Sequence, residues 1–441
     1  MDGVRFSEIF AQMVSPQRQR ALCQRHAPIA RGGRRLSPEA LVQSLIFHQL
    51  QPAGTLAAHG TTLHGIAMSD SAYAQRRALL PQALFDELMD AALAPLADAQ
   101  RQPESFYAGW RLVGIDGTQC SVANTPAIVA ALPKAASRRF CAAFAKLRLV
   151  VLTELGTHAP LAACAAPAAE ASEQVLAAAL WAKVPDRSLV IGDRLFGCGK
   201  TLGQALTAWA GRDIALLVRV KHNLKPKMVE RLADGSALIE VAVRDDAHRV
   251  IDRLVLREIR ARGVAVNGKR FELRLWTTLT DAARYPALVL AQHYATRWEQ
   301  ELYYRELKLD VRHNPVLAGH TVETALQELA ALVLASALIA RLRVEAAERG
   351  AVAPTRMSFY KLRLATDELW ATLALMGPLL SRTQYPLLLE RYFELVQRTA
   401  LLPERRARSC PRVVRQPVTK WPRKLDQPSH TGEVTLELMQ D

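Results

Sequence analysis

Apolar residues recur at three- and four-residue steps over residues 1–104, the spacing of one helix face. After Ser37-Pro38-Glu39, where serine caps and proline fits the first turn, come Leu41, Val42, Leu45 and Ile46. Further helices are predicted from Thr55 to His64, from Ser69-Asp70-Ser71 through Tyr73, Arg76 and Arg77, and over Gln82 to Gln102. Short helices joined by Gly-containing turns resemble a helix-turn-helix DNA reader, although small helical domains with no DNA role look the same. Arg76 and Arg77 are its candidate DNA contacts.

The period changes at Trp110. RLVGIDGTQ reads as a buried strand that ends in Asp116 and turns at Gly117. Lys146 to Leu155 and Ala159 to Ala165, joined by Gly156-Thr157-His158, predict a hairpin. Helix Glu170 to Trp181, strand Arg187 to Gly192 with Asp193 at its end, helix Gly199 to Ala210 and strand Asp213 to Val220 follow. Residues 105–220 are thus expected to form a mixed sheet with helices on its faces.

Residues 221–282 look all-β, with Asn267-Gly268 as a two-residue hairpin signal. On the strand after it, Phe271, Leu273 and Leu275 face one way, and Glu272, Arg274 and Trp276 the other. A tryptophan on a charged face either packs across the strands or offers a platform for a base. Residues 283–345 return to the core, and there Leu326 to Leu342 reads as a buried helix. Its apolar run, Leu329 to Ala340, is too short to span a membrane. Residues 346–403 are a helical region, broken at Gly377-Pro378 and suited to dimerisation. Residues 404–441, basic and Pro-containing, read as a disordered tail.

The stretch Gln292 to Arg312 is predicted to be one helix. At 100° per residue, Tyr294, Arg297, Glu301 and Lys308 fall within a sector about 60° wide. Arg305 and Arg312 lie on or beside it, Trp298, Leu302 and Leu309 flank one edge, and Tyr304 the other. Glu299 and Glu306 point well away. A solvated face of ion pairs explains Glu301 between Arg297 and Arg305 but not the cationic excess or the aromatic border. A phosphate-binding stripe around one metal-ligand carboxylate explains both.

Charge sharpens this choice. The net charge is +15 and the pI near 9.8, which points to a polyanion: nucleic acid first, an anionic membrane second. No membrane segment is convincing, and the start, MDGVRFSEIF, lacks a signal-peptide pattern. The six cysteines are scattered with no CxxC pair, as expected of reduced thiols in a cytoplasmic protein without structural zinc. P-loop spacing and Ser or Cys nucleophile motifs are missing.

If the strands of Asp116 and Asp193 are sheet neighbours, both carboxylates emerge at one edge, where the helix can lay Glu301 beside them. Three such acids repel unless a cation intervenes. Oxygen ligands suit Mg²⁺, with Mn²⁺ as a substitute, and a pair of such ions supports phosphodiester chemistry. Alone, Asp116 before Gly117 could be a turn former, and Asp193 beside Arg194 a local ion pair or a helix cap.

These residues carry a family resemblance. Tyr294, Arg297, Glu301 and Lys308 reproduce the spacing Y-x2-R-x3-E-x6-K of bacterial insertion-sequence transposases with a DDE triad. GIDGTQ at Asp116 and IGDRLF at Asp193 are similar to that family's two Asp motifs, and the β-rich insertion and SAYAQRRALLP fit as well. The resemblance implies an α/β multidomain protein: a ribonuclease H-like mixed-sheet catalytic core with an all-β insertion, a helical N-terminal domain and a helical C-terminal region. It implies Asp116, Asp193 and Glu301 as catalytic ligands of two Mg²⁺. Arg297 and Lys308 would hold DNA phosphates, Tyr294 the terminal phosphate, and Arg194 nearby DNA; from the residue pattern alone, Arg305, another cation around Glu301, would hold a flanking phosphate. Trp276, with Trp298 competing, is the candidate for stacking on a flipped base. Partners would be double-stranded transposon ends and target DNA, bound by a homodimer at the nucleoid. A ribonuclease H-like nuclease without strand transfer, or a decayed DNA-binding relative, are the alternatives; survival of all three acids in context argues against decay.

Overall fold

Serine and threonine start most helices of the first compact unit. Ser15, Ser37, Thr55, Ser69, Thr125, Ser172 and Thr321 each accept a hydrogen bond from the backbone N–H three residues on, satisfying a donor that the first turn leaves open. The computed structural model describes residues 5–27, 36–137, 140–311, 314–376, 379–381, 383–404, 407–409 and 430–439. The chain divides into two units, residues 1–188 with 298–402, and residues 189–297 with 403–441.

In the first unit, helices Phe6–Met13, Pro16–His26, Pro38–Leu50, Leu56–His64, Asp70–Arg77 and Gln82–Ala92 precede a sheet. The predicted helix over Gln82 to Gln102 stops at Ala92; beyond it Glu154 accepts the N–H groups of Leu96 and Ala97. The sheet runs Ala159–Pro167, Lys146–Glu154, Trp110–Val122, with antiparallel pairing throughout. Val316–Leu317 adds in parallel at the far end of Trp110–Val122. The hairpin around His158 is as expected. The Asp116 strand is longer than expected: Gly117 continues the ladder opposite Val150, so Asp116 lies mid-strand rather than at its end.

Helix Val322–Arg349 is the spine of this unit. Residues 329–340 are buried on every side, the pattern of a core helix rather than an amphipathic one. It contacts strand Ala159–Pro167, helices Pro38–Leu50 and Gln82–Ala92, and the C-terminal helices Phe359–Met376 and Gln384–Ala400. Its apolar window, long enough on composition to cross a membrane, is 89% buried inside the protein. Gly377 and Pro378, the expected break, lie outside the described residues.

The second unit orders its strands Ser188–Gly192, Ile214–Arg219, Arg270–Thr277, Val250–Val264, Ala237–Arg244, Lys227–Arg231. Val250–Val264 is long enough to share one edge between Ala237–Arg244 and the C-terminal strand Thr435–Leu438. The segment expected to be a disordered tail therefore supplies strands at Ala407–Ser409, His430–Gly432 and Thr435–Leu438, while residues 410–429 lie outside the described set. At Asn267-Gly268 the turn spans three residues rather than two. Ala265 N–H bonds the Lys269 carbonyl at 2.9 Å, and Gly268 takes φ +76°, which glycine adopts without a Cβ penalty.

Two buried arginines organise the insertion. Arg257 donates to Ser236 Oγ (2.8 Å) and to the carbonyls of Leu279 and Tyr285, and pairs with Asp234. Asp234 also caps the Ala287 N–H at 2.9 Å and so pins helix Ala287–His293. Arg274 and Trp276 converge on Glu258, which accepts the Trp276 indole N–H at 2.8 Å. Trp276 is 2% exposed. Of the two roles expected of it, cross-strand packing is the one observed and base stacking is corrected: the indole fills a slot opposite Glu258 and offers no open face.

Candidate active site

The Trp298–Arg305 helix runs along the Trp110–Val122 strand in matched steps. Gln300 lies over Gly114, where a Cβ would come 2.6 Å from Gln300 Oε1. Tyr304 Oη donates to the Asp116 carbonyl, and Lys308 Nζ donates to Thr118 Oγ1. Two residues of strand advance about 6.6 Å and four of helix about 6 Å, so the pairs 114/300, 116/304 and 118/308 stay nearly in register. This lays the helix that carries Glu301 directly along the strand that carries Asp116.

The helix is not uniform. Ala287–His293 is α, Tyr294–Arg297 is 3₁₀, Trp298–Arg305 is α and Glu306–Val311 is a π segment. A 3₁₀ turn advances about 120° per residue, so the straight 100° stripe expected from Tyr294 to Lys308 is corrected to a broken one. Tyr294 and Arg297 belong to the second unit, Glu301 and Lys308 to the first. Tyr294 is buried; Arg297, Glu301 and Lys308 are half-buried; Trp298 and Arg305 are exposed. Arg312 lies outside the described residues.

Asp116 is half-buried and its Oδ1 accepts the Gly117 N–H at 2.8 Å. Burial, and after it the Asp116 charge, drives the Tyr304 phenol well above its ordinary pKa. Tyr304 therefore stays a neutral hydrogen-bond donor at this strand. Asp193 follows strand Ser188–Gly192 in the second unit, and its Oδ1 accepts the Leu195 N–H at 2.7 Å. Arg194 beside it is exposed. Among the described residues, no three His, Cys, Asp or Glu side chains form a group that would hold a metal ion. The donors on hand at Asp116 and Glu301 are carboxylate oxygens, the set that suits a hard divalent cation.

The N-terminal arginines divide. Arg76 is half-buried and donates to the Leu36 carbonyl at 3.0 Å. Arg77 donates to the Thr324 carbonyl and to Gln327 Oε1 (3.2 Å), with Glu328 at 4.0 Å and a side chain only 15% exposed. Its expected DNA contact is corrected: the guanidinium fastens helix Asp70–Arg77 to the start of the spine helix.

Sequence reasoning passed over Glu299 and Glu306 because they point away from Glu301. They meet at His158. Its Nε2 lies 2.8 Å from Glu299 Oε2 and its Nδ1 2.7 Å from Glu306 Oε2, with Arg343 Nη1 3.2 Å from Glu306 Oε1. Two acids seven residues apart share one helix face, which was the available signal that a buried cation waits on that side.

A family model described as the transposase DDE domain matches residues 111–335, over half of the chain, and the chain belongs to that family. Over 324 residues it is 28% identical to transposase InsG for insertion sequence element IS4 of Escherichia coli (strain K12), covering 73% of this chain and 71% of that one. Over 162 residues it is 35% identical to the putative transposase InsZ of the same organism, covering 33% of this chain and 53% of that one. A cryo-EM structure of the piggyBac transposase synaptic complex with hairpin DNA overlaps 91% of this chain and 86% of that one, at 8% identity and a TM-score of 0.44, too low to add to the argument. The protein is an insertion-sequence transposase, and DNA transposition is its function.

Proposed function

We propose that Asp116, Glu301 and Asp193 are the catalytic acids, and that the chain cuts the ends of its element and joins them to target DNA. The observation that carries this is the register of the Glu301 helix on the Asp116 strand, with Lys308 anchored two residues beyond Asp116. Two Mg²⁺ ions held by the three carboxylates would activate the attacking water or hydroxyl and stabilise the leaving oxygen. Asp116 and Glu301 would supply oxygen ligands from a rigid strand and a packed helix, and Asp193 would complete the set on a ribonuclease H-like core. Arg297, Arg305 and Arg194 would pair with phosphates along the bound strand, Tyr294 with the terminal phosphate, and Arg76 with DNA from the helical N-terminal domain.

For a base displaced at the cut, exposed Trp298 takes the place of buried Trp276. A homodimer through the C-terminal helices fits the exposed Leu375, Leu379 and Leu387 there. The test supplies pre-cleaved ends, supercoiled target and Mg²⁺. Joined products are expected with wild type and absent with Glu301→Gln, which should keep end binding. Cleavage without joining would assign the chain to hydrolysis alone, and full joining by Glu301→Gln would remove Glu301 from the chemistry.

A further inference from the structure

His158 sits at the tip of the hairpin between Lys146–Glu154 and Ala159–Pro167, fully buried and at φ +59°. Its backbone N–H bonds the Glu154 carbonyl at 2.8 Å, and Thr157 Oγ1 bonds the Glu154 carboxylate at 2.6 Å. A left-handed backbone is costly for a non-glycine residue and persists where the surroundings hold it. What holds it is the side chain. Each ring nitrogen faces a carboxylate oxygen, at 2.7 and 2.8 Å, and carboxylates only accept. Both nitrogens must therefore donate, and the ring is an imidazolium.

Arg343, also buried, reaches in from the spine helix and is itself fixed by the carbonyls of Pro354 and Met357 at 2.8 and 3.0 Å. Its Nη1 stands 3.2 Å from His158 Nδ1; two donors do not bond, so both are aimed at Glu306. Two buried cations thus face two anions, Glu306 mostly enclosed and Glu299 partly open to solvent. Burial by itself disfavours the imidazolium, but Glu306 and Glu299 outweigh it and raise the His158 pKa. Burial likewise opposes the Glu306 charge, and Arg343 and His158 overcome it. Asp310, the next acid along, is raised to about 6 by burial and then by Glu306.

Glu299 and Glu306 bracket Glu301. A helix held to one imidazole at two points seven residues apart cannot rotate about its axis. Glu301 lies two residues past Glu299, about 200° around the helix, so fixing Glu299 fixes the direction of Glu301. The π segment begins at Glu306 itself; such widened turns recur at functional sites. We infer that His158 is a positioning residue: as an imidazolium it clamps Glu299 and Glu306 and thereby orients Glu301, so DNA cleavage requires the His158 proton and end binding does not. This rests on the reading of Glu301 as a catalytic acid.

The test uses the full chain. Single-turnover cleavage of element ends is followed from pH 6 to 9.5, binding of the same ends by anisotropy, and the ring charge by NMR of labelled histidines. Wild-type cleavage is expected to fall as pH rises through the raised His158 pKa, with binding flat. His158→Gln should cut at least about tenfold more slowly, lose that alkaline fall and bind within about twofold of wild type. Glu299→Gln, which keeps an accepting oxygen and removes a charge, should fold where His158→Gln does not and move the fall to lower pH. An unchanged rate and profile in these variants, or a His158 ring that is neutral throughout, would overturn the clamp. Glu301→Gln separates the two ideas: if it cuts normally while the ring is charged, the clamp is structural and the catalytic reading is what failed.

Discussion

Replacing Gly114 by alanine puts a methyl group where the Glu301 helix already is. The new Cβ would stand 2.6 Å from Gln300 Oε1 and 2.6 Å from Leu155 Cδ2, closer than Cβ atoms come to any neighbour. Gln300 is fully buried, so its amide has no solvent to move into. Overpacking of this kind costs about 1–3 kcal/mol, and the cheapest relief is for the helix to lift from the strand. A lift of about an ångström at Gln300 reaches Glu301, and a displacement of that size at a catalytic group costs about a hundredfold in rate. Gly114→Ala should therefore lower the melting temperature modestly and end cleavage severely, with end binding nearly intact. Adding Gln300→Ala removes the clashing amide, so the double variant should recover cleavage relative to Gly114→Ala alone. Thermal unfolding and single-turnover cleavage on the four members of this cycle read both terms. A Gly114→Ala protein that cuts at the wild-type rate, or a double variant no better than the single, would refute the claim that strand and helix jointly set the acids.

Lys308→Met removes the donor to Thr118; a drop of about tenfold or more in cleavage with unchanged melting is expected, and an unchanged rate would make Lys308 a passive neighbour. Arg77→Ala should destabilise the fold by about 1.5–3 kcal/mol through its lost charged hydrogen bonds, yet leave the salt slope of DNA binding unaltered; a shallower slope in a salt titration would return Arg77 to the DNA. Trp298→Ala should weaken handling of the cleaved end by about 1–3 kcal/mol without lowering the melting temperature, whereas Trp276→Ala should melt the insertion earlier. Wild-type binding should weaken steeply with salt, log K falling about 0.9 per phosphate neutralised.

Where short-range chemistry decides structure, the chain could be read directly. Ser37, Thr55 and Ser69 mark helix starts because their oxygens reach an open N–H whatever the tertiary context. The turn at Gly156-Thr157-His158 and the one at Asn267-Gly268 were visible for the same reason, although the second holds one more residue than two-residue turn chemistry suggests. Long-range contacts were not visible. Asp116-Gly117 has turn composition, yet pairing with Lys146–Glu154 and the Glu173 side chain lying over Gly117 carry the strand onward. Arg77 looked like a surface group, and Trp276 stood open between packing and stacking, because the acceptors that bury them, the Thr324 carbonyl and Glu258, lie far from them in sequence or on another strand. The spacing of Tyr294, Arg297, Glu301 and Lys308 identified the right helix. It could not show that Gln300, Tyr304 and Lys308, four residues apart, form the face that touches the Asp116 strand.

The spine helix, residues 322–349, has a consequence for shortened copies of this protein. Its partners come from both ends of the first unit, so neither half has a finished interior alone. A copy truncated before residue 298 would keep its amino-terminal helices and the strands Trp110–Val122, Lys146–Glu154 and Ala159–Pro167 but bare the apolar surface that the spine covers. Such a fragment is expected to precipitate or be degraded by cellular proteases rather than persist as a competitor for transposon ends. Loss-of-function alleles that stop early should therefore behave as simple nulls and not as dominant inhibitors of an intact element in the same cell.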